Sequence, residues 1–359
     1  MLVIGNYAPD GQRSMQRYAE LVHAGMTEAG IATRLWLPPV LFGRLLPTSN
    51  RVFKWLAYVD KLLIAPLVLL LIQWRYARVH ICDHSNAYYA FAVWGRRCTA
   101  TCHDVIAIQH ARDLITGWPI GTTGRLLQRL ISSGVGAVDK IYCVSSFTQA
   151  ELLSLNLVEA ERTALALNAV DPAITASLKN SIGGINVAAT VDERYFLHVG
   201  SDHVRKNRRF VIELFSHLVR TPAFEDCNLV FVGPELSGEQ TSLVDAYGLT
   251  GRVHSISYLS NEDLAHAYAG ALALIFPSLQ EGFGWPVAEA QACGCPVFAS
   301  ALDPMMEVGG KAARYFDPAN VYAAVATVAD APLAQMRAEG WINSSKFTLQ
   351  HMTAQLMQP

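Results

Sequence analysis

The stretch Phe276-Pro-Ser-Leu-Gln-Glu-Gly-Phe-Gly-Trp-Pro-Val-Ala-Glu289 places two carboxylates, Glu281 and Glu289, on either side of a glycine turn that opens a helix. Residues 271–276 ahead of it (ALALIF) read as a buried strand. Pro286 suits a first helical turn, where its missing N–H costs nothing. The unpaired N–H groups and positive dipole end of such a helix attract anions such as phosphate. Gly282 and Gly284, with Phe283 between them, let the backbone approach a ligand closely. Two carboxylate acceptors flanking a diphosphate suit a nucleotide sugar, which carries hydroxyls at both ends.

Outward from this stretch, apolar strands alternate with helical segments. Strands are expected near residues 2–7, 31–37, 79–82, 98–103, 140–144 and 163–167, then again near 195–200, 229–233 and 253–257. Such alternation implies parallel α/β layers. The pattern weakens between residues 170 and 192, which read as a linker. The expected organisation is an N-terminal Rossmann-like domain over 1–171, a linker over 172–193, a C-terminal Rossmann-like domain over 194–343, and a terminal helix over 344–359. In such folds ligands bind at the carboxyl ends of strands.

The composition bounds the partners. The chain has 359 residues, 52% hydrophobic and 16% charged, with a net charge of −2. Residues 1–171 carry 16 basic and 12 acidic side chains, and the remainder 12 and 18. Residues 34–97 hold nine basic side chains against Asp60 and Asp83. No nucleic-acid partner is expected. Seven cysteines without a secretory signal argue for a reducing compartment, hence a cytoplasmic protein. Their spacing fits no zinc site, so they read as small core residues, and neither metal nor cofactor is expected.

A second constellation is His198-Val-Gly-Ser-Asp-His-Val-Arg-Lys-Asn207. A strand ends at Gly200, and Arg205 and Lys206 precede a helix, so two cations lie where they can neutralise a diphosphate. Residues 55–74, bounded by Trp55 and Trp74, contain eleven consecutive apolar residues, 62–72, with Asp60-Lys61 just upstream. That run is shorter than the roughly 20 residues needed to span a bilayer. Two readings stay open for it: a buried core helix, or an interfacial helix on an anionic membrane.

The composite Glu-Gly-Phe-Gly-x-Pro-x-x-Glu, followed by Ala-x-Ala-x-Gly-x-Pro-Val, resembles the E-x7-E signature of retaining glycosyltransferases of family four. The resemblance implies a GT-B fold, two Rossmann-like α/β domains facing a central cleft, with the last helix returning to the N-terminal domain. It implies a metal-independent hexosyl transfer from a nucleoside diphosphate sugar to a saccharide or lipid-linked saccharide acceptor, as in bacterial surface-polysaccharide assembly. Residues 200–207 resemble the family's Gly-x-x-x-x-Arg-Lys-Asn loop, although Ser201 stands where many relatives have Arg. By this resemblance Arg205 and Lys206 meet the diphosphate, Glu281 the donor sugar and Glu289 the ribose. Tyr258 and Leu259 belong to a loop resembling the one that cradles the base. His103-Asp104 resembles the family's His-Asp, with His103 near the reacting sugar and Asp104 orienting it or meeting the acceptor. Gly11 keeps the turn of the first loop, Arg13 is an acceptor-side candidate, and Ser14 a helix cap. A GT-B nucleotide-sugar epimerase and a non-catalytic sugar-nucleotide-binding protein remain alternatives, because fold alone excludes neither.

Overall fold

The computed structural model describes residues 1–115, 120–179, 194–257 and 259–358. The chain forms two compact units, Met1–Asn168 with Leu349–Pro359, and Ala169–Thr348. The first unit is built on β1 (Leu2–Ile4), β2 (Arg34–Trp36), β3 (Arg78–Ile81), β4 (Arg97–Cys102), β5 (Lys140–Cys143) and β6 (Thr163–Leu165). They form one parallel sheet in the order β2-β1-β3-β4-β5-β6. The sheet is buried because apolar residues occupy both faces, as parallel sheets with crossover helices require. The chain leaves β1 for β2, then returns to the far side of β1 for β3. The topological switch therefore lies between β1 and β3. The terminal helix Leu349–Leu356 belongs to this unit and packs on the helix Arg13–Glu28. Gln355 Oε1 accepts the Leu167 N–H at 2.9 Å, and the Tyr142 hydroxyl donates to the Gln358 carbonyl at 3.0 Å.

The second unit repeats the plan with β7 (Tyr195–Val199), β8 (Asn228–Val232), β9 (Val253–Ile256), β10 (Ala273–Phe276), β11 (Val297–Ser300) and β12 (Ala313–Phe316). The order is β12-β11-β10-β7-β8-β9, all parallel. Here the chain runs from β7 out to β9, then crosses to the other side of β7 for β10. The switch lies between β7 and β10. Ligands of such sheets sit outside the carboxyl ends of strands at this point.

Several local expectations change. Residues 172–179, expected in the linker, form the helix Pro172–Lys179, which packs on Asn261–Gly270 within the second unit. Asn261 Nδ2 donates to Asp171 Oδ2 at 2.8 Å across that contact. Residues 180–193, the rest of the expected linker, lie outside the described residues. Ser14 is not a cap: Gln12 occupies the N-cap position of Arg13–Glu28, and Ser14 falls inside the first turn. Residues 55–74 belong to a continuous helix, Phe53–Arg75, and only 22% of its most apolar window is buried. The core-helix reading therefore does not describe this segment. Asp60, just upstream of the apolar run, points inward. It accepts backbone N–H groups from Leu41, Phe42 and Gly43 at 3.0, 3.0 and 2.9 Å and the Tyr7 hydroxyl at 2.7 Å.

Candidate active site

In the second unit the loops leaving β7 and β10 meet at the switch point. After β7 the chain passes through a short 3-10 turn, Val204–Lys206, and Asn207 takes a left-handed conformation to start Arg208–Leu218. After β10 it passes Ser278 and Glu281 and turns at Gly284 into the helix Trp285–Ala292. Gly284 has φ +91°, which L side chains rarely adopt, so glycine is required there. Three hydrogen bonds tie the loops together, and a fourth lies within the loop after β10. The Leu279 N–H donates to the Arg205 carbonyl at 2.8 Å, and Arg205 Nη1 donates to the Gln280 carbonyl at 3.0 Å. Ser278 Oγ lies 3.1 Å from the Arg205 carbonyl and 2.7 Å from Glu281 Oε1.

The resulting cluster brings Arg205, Lys206 and Glu281 into direct contact. Arg205 Nη1 lies 2.9 Å from Glu281 Oε1, and the Lys206 ammonium makes a close ion pair with the same oxygen. Lys206 is only 8% exposed, and its ammonium sits 4.9 Å from the centre of the Phe276 ring. Burial pushes its pKa down, and the Glu281 carboxylate opposes that fall. Burial pushes the Glu281 carboxyl up, but the charges of Lys206 and Arg205 outweigh it and hold the group below the usual carboxylate range. The Glu281 carboxylate is therefore ionised at neutral pH. Two cations thus stand against one carboxylate, and the excess positive charge lies beside the opening turn of a helix. This arrangement attracts an anion.

Beneath it, His198 is fully buried and its Nδ1 lies 2.9 Å from the Ile275 carbonyl, so that nitrogen donates. Burial pushes its pKa to about 3, so the ring is neutral. Arg208 braces the loop after β7, donating to the carbonyls of Gly200 and Pro234 at 2.8 Å each. Glu289 lies on the second turn of its helix, 3% exposed, and accepts the Tyr268 hydroxyl at 3.1 Å. Gly282 and Phe283 are buried in the turn, and Phe283 packs edge-on against Phe347. Leu259 is half-buried just ahead of Ser260, whose hydroxyl caps Asn261–Gly270. Tyr258 lies outside the described residues.

In the first unit, the switch between β1 and β3 carries a buried polar network. Asn6 Nδ2 donates to Asp83 Oδ2 at 2.7 Å, and Asn86 Nδ2 donates to Asn6 Oδ1 at 3.0 Å. Ser85 donates to Asp83 through both its N–H, at 2.8 Å, and its hydroxyl, at 2.6 Å. His103, at the end of β4, is buried. Its Nε2 lies 2.9 Å from the Cys82 carbonyl, and its ring meets Tyr18 edge-on at 4.5 Å. Burial lowers its pKa, and the Asp83 charge works against that fall more strongly than Asp104 does. Asp104 instead accepts the Ile106 N–H at 3.1 Å, just ahead of the helix Ile106–Ala111, whose N-cap position is held by Val105. The carboxylate with the larger pull on His103 is therefore Asp83, which the sequence reading counted only as a charge. Gly11 turns the first loop with φ +66°, and Arg13 stands exposed at the start of Arg13–Glu28.

Sequence reasoning also missed Ser278, Arg208 and Tyr268. Ser278 lies inside the quoted stretch, three residues before Glu281, and Arg208 directly follows the Arg-Lys-Asn run. Tyr268 carries no local signal. Among the described residues no group of three or more His, Cys, Asp or Glu side chains is gathered to hold a metal ion. The seven cysteines are all free and buried.

Comparison with known proteins matches the sequence to one family. The family model for glycosyl transferases group 1 matches residues 186–346, and that for glycosyltransferase family 4 matches residues 17–174. The O-antigen chain mannosyltransferase B of Escherichia coli is 26% identical over 239 residues, covering 63% of this chain and 58% of that relative. The chain spans a smaller share still of other curated relatives that it matches. Among solved structures, sucrose-phosphate synthase from Thermosynechococcus elongatus superposes with a TM-score of 0.74 at 19% identity, over 98% of this chain and 93% of that one. Anabaena HepE in complex with UDP gives 0.70 at 14% identity, over 99% and 98%. These likenesses show the fold, while the two family models together cover most of the sequence. The chain belongs to the group 1, family four glycosyltransferases of GT-B fold.

Proposed function

We propose that this chain is a cytoplasmic, retaining, metal-independent glycosyltransferase that moves a hexose from a nucleoside diphosphate sugar to a saccharide, free or lipid-linked. The observation that supports this reading most is the Arg205–Lys206–Glu281 cluster at the β7/β10 switch point, beside the opening turn of Trp285–Ala292. In this reading Lys206 and Arg205 take the diphosphate and Glu281 takes sugar hydroxyls. Glu289 takes the ribose, the backbone of Gly282, Phe283 and Gly284 lines the phosphates, and Tyr258 and Leu259 flank the base. On the acceptor side stand His103, Gly11, Arg13 and Asp104, with Asp83 and Asn6 added by the buried network. The bond from the anomeric carbon to the diphosphate oxygen breaks. The acceptor oxygen bonds that carbon on the same face, and the acceptor proton passes to the departing diphosphate. Charge grows on the leaving oxygens, and preorganised cations stabilise it.

The neighbour HepE is described in complexes with UDP and with UDP-glucose, which supports a nucleotide-sugar donor. The E. coli relative is named for O-antigen mannosyl transfer, which supports mannose as the sugar and a surface polysaccharide as the product. Incubation with a panel of GDP- and UDP-hexoses in chelator tests the reading. Free nucleoside diphosphate with retained anomeric configuration is expected. An epimerised donor, or binding without turnover, would replace it with one of the two alternatives.

A further inference from the structure

The helix Phe53–Arg75 is apolar on its outer side as well as on its buried one. Its inward stripe includes Ala57, Asp60, Ala65, Leu69 and Gln73, so the buried side carries two polar side chains. Both are satisfied there: Asp60 by the Leu41–Gly43 amides and Tyr7, Gln73 by the Ala92 carbonyl and the Trp94 N–H. A π-turn over Asp60–Ile64 lengthens the spacing between buried positions from four to five residues, which keeps this stripe on one side. The other side presents Leu63, Leu67 and Leu71, at 56, 50 and 78% exposure, with exposed Trp55 and Trp74 toward the two ends. In water the outer side of a surface helix carries charged and polar residues instead.

Charge says what covers this face. Both acidic residues of the 34–97 stretch, Asp60 and Asp83, are buried, so its exposed charged side chains are basic. Arg51 and Lys54 are exposed beside Trp55, Arg75 is exposed beside Trp74, and the Arg96 guanidinium lies 5.5 Å over the Trp74 ring. Tryptophans flanked by basic residues at both ends of an apolar row match the interfacial layer of a bilayer. A second copy of the chain would set basic flanks against basic flanks. Crossing the bilayer is not available to this helix, because β2 before it and β3 after it both pair with β1, and Ala65 and Leu69 pack into the core of that unit.

We infer that Phe53–Arg75 lies flat in the surface of an anionic lipid bilayer and docks the first unit there. The inference builds on the glycosyltransferase reading only in its consequence, that the acceptor is carried on a lipid; the docking itself does not depend on turnover. The test uses the full chain with vesicles of phosphatidylcholine, with and without about one-third phosphatidylglycerol. Co-sedimentation should require the anionic lipid and fall with salt, since exposed charges are screened over about 8 Å at physiological ionic strength. Brominated lipid should quench tryptophan fluorescence. Leu67→Glu with Leu71→Glu should weaken vesicle binding at least about tenfold, because affinity follows buried apolar area. The circular dichroism of that variant should be unchanged, both sites being exposed, and so should its release of diphosphate from free donor. Arg51→Gln, Lys54→Gln and Arg75→Gln together should remove the preference for anionic lipid. Three results would each overturn the inference. The wild type could ignore anionic vesicles at low salt, or the leucine variant could bind them equally well. The third is a dimer that the leucine variant dissolves while vesicles bind neither protein.

Discussion

Replacing Lys206 with Met keeps the methylene packing against Phe276 and deletes the charge that faces Glu281. Removing one partner of a buried ion pair typically costs about 3–5 kcal/mol. Glu281 would still hold Arg205 at 2.9 Å and Ser278 at 2.7 Å, so the low end, about 3 kcal/mol, is expected. Glu281→Gln leaves Lys206, 8% exposed, beside the like charge of Arg205, so about 4 kcal/mol is expected. The double variant leaves neither charge stranded and should lie within about 2 kcal/mol of wild type. It should therefore be more stable than either single variant. Hydrogen exchange of the β7 and β10 amides reads this locally, independently of the other unit. If the single losses add, so that the double variant is the least stable, then Lys206 and Glu281 are not a coupled pair and the described cluster is wrong.

Further outcomes follow from the same geometry. Lys206→Met should lower kcat at least about a hundredfold, the scale of one preorganised electrostatic contact, and wild-type turnover should survive chelator; manganese-dependent recovery would reject the metal-independent mechanism. Glu289→Gln should weaken calorimetric binding of the free nucleoside diphosphate by about 1.5–3 kcal/mol, because it loses a charged hydrogen bond to the ribose; unchanged affinity in the folded variant would reject that role. Burial holds both His80 and His198 near pKa 3 against an ordinary 6.5, so the unfolded chain takes up protons first as pH falls. Their stabilisation is complete above pH 6.5 and is lost toward pH 3, by about 1.4 kcal/mol per pH unit for each histidine. Glu281, held below its usual range, acts in the same direction as pH falls from about 4.5 toward its folded value. Denaturant midpoints that stay flat from pH 7 to 5 would contradict this.

The strand pattern was legible because parallel strands covered on both faces are nearly continuous apolar runs. β11 and β12 escaped notice among the turns that follow the second glycine-rich stretch. Arg205, Lys206 and Glu281 were legible as well, since their signals are local: cations after one strand and a carboxylate in the turn after another. Their mutual contact was not, because it depends on β7 and β10 being neighbours while 74 residues separate the strand ends Val199 and Ala273 along the chain. Asp83 stayed hidden for the same reason, its partner Asn6 lying 77 positions away. Asp60 misled for another. A 3.6-residue period cannot anticipate a π-turn, and nothing in residues 55–74 announces that amides of Leu41–Gly43 will hold that carboxylate inside.

The central claim is that Arg205, Lys206 and Glu281 form the donor platform of this glycosyltransferase. A crystal structure with an intact nucleoside diphosphate sugar tests it most directly. The diphosphate should lie within hydrogen-bonding distance of the Lys206 ammonium and the Arg205 guanidinium, at the opening turn of Trp285–Ala292, with Glu281 reaching the sugar and Glu289 the ribose. A donor bound elsewhere, with the Lys206–Glu281 pair closed and untouched, would contradict the account.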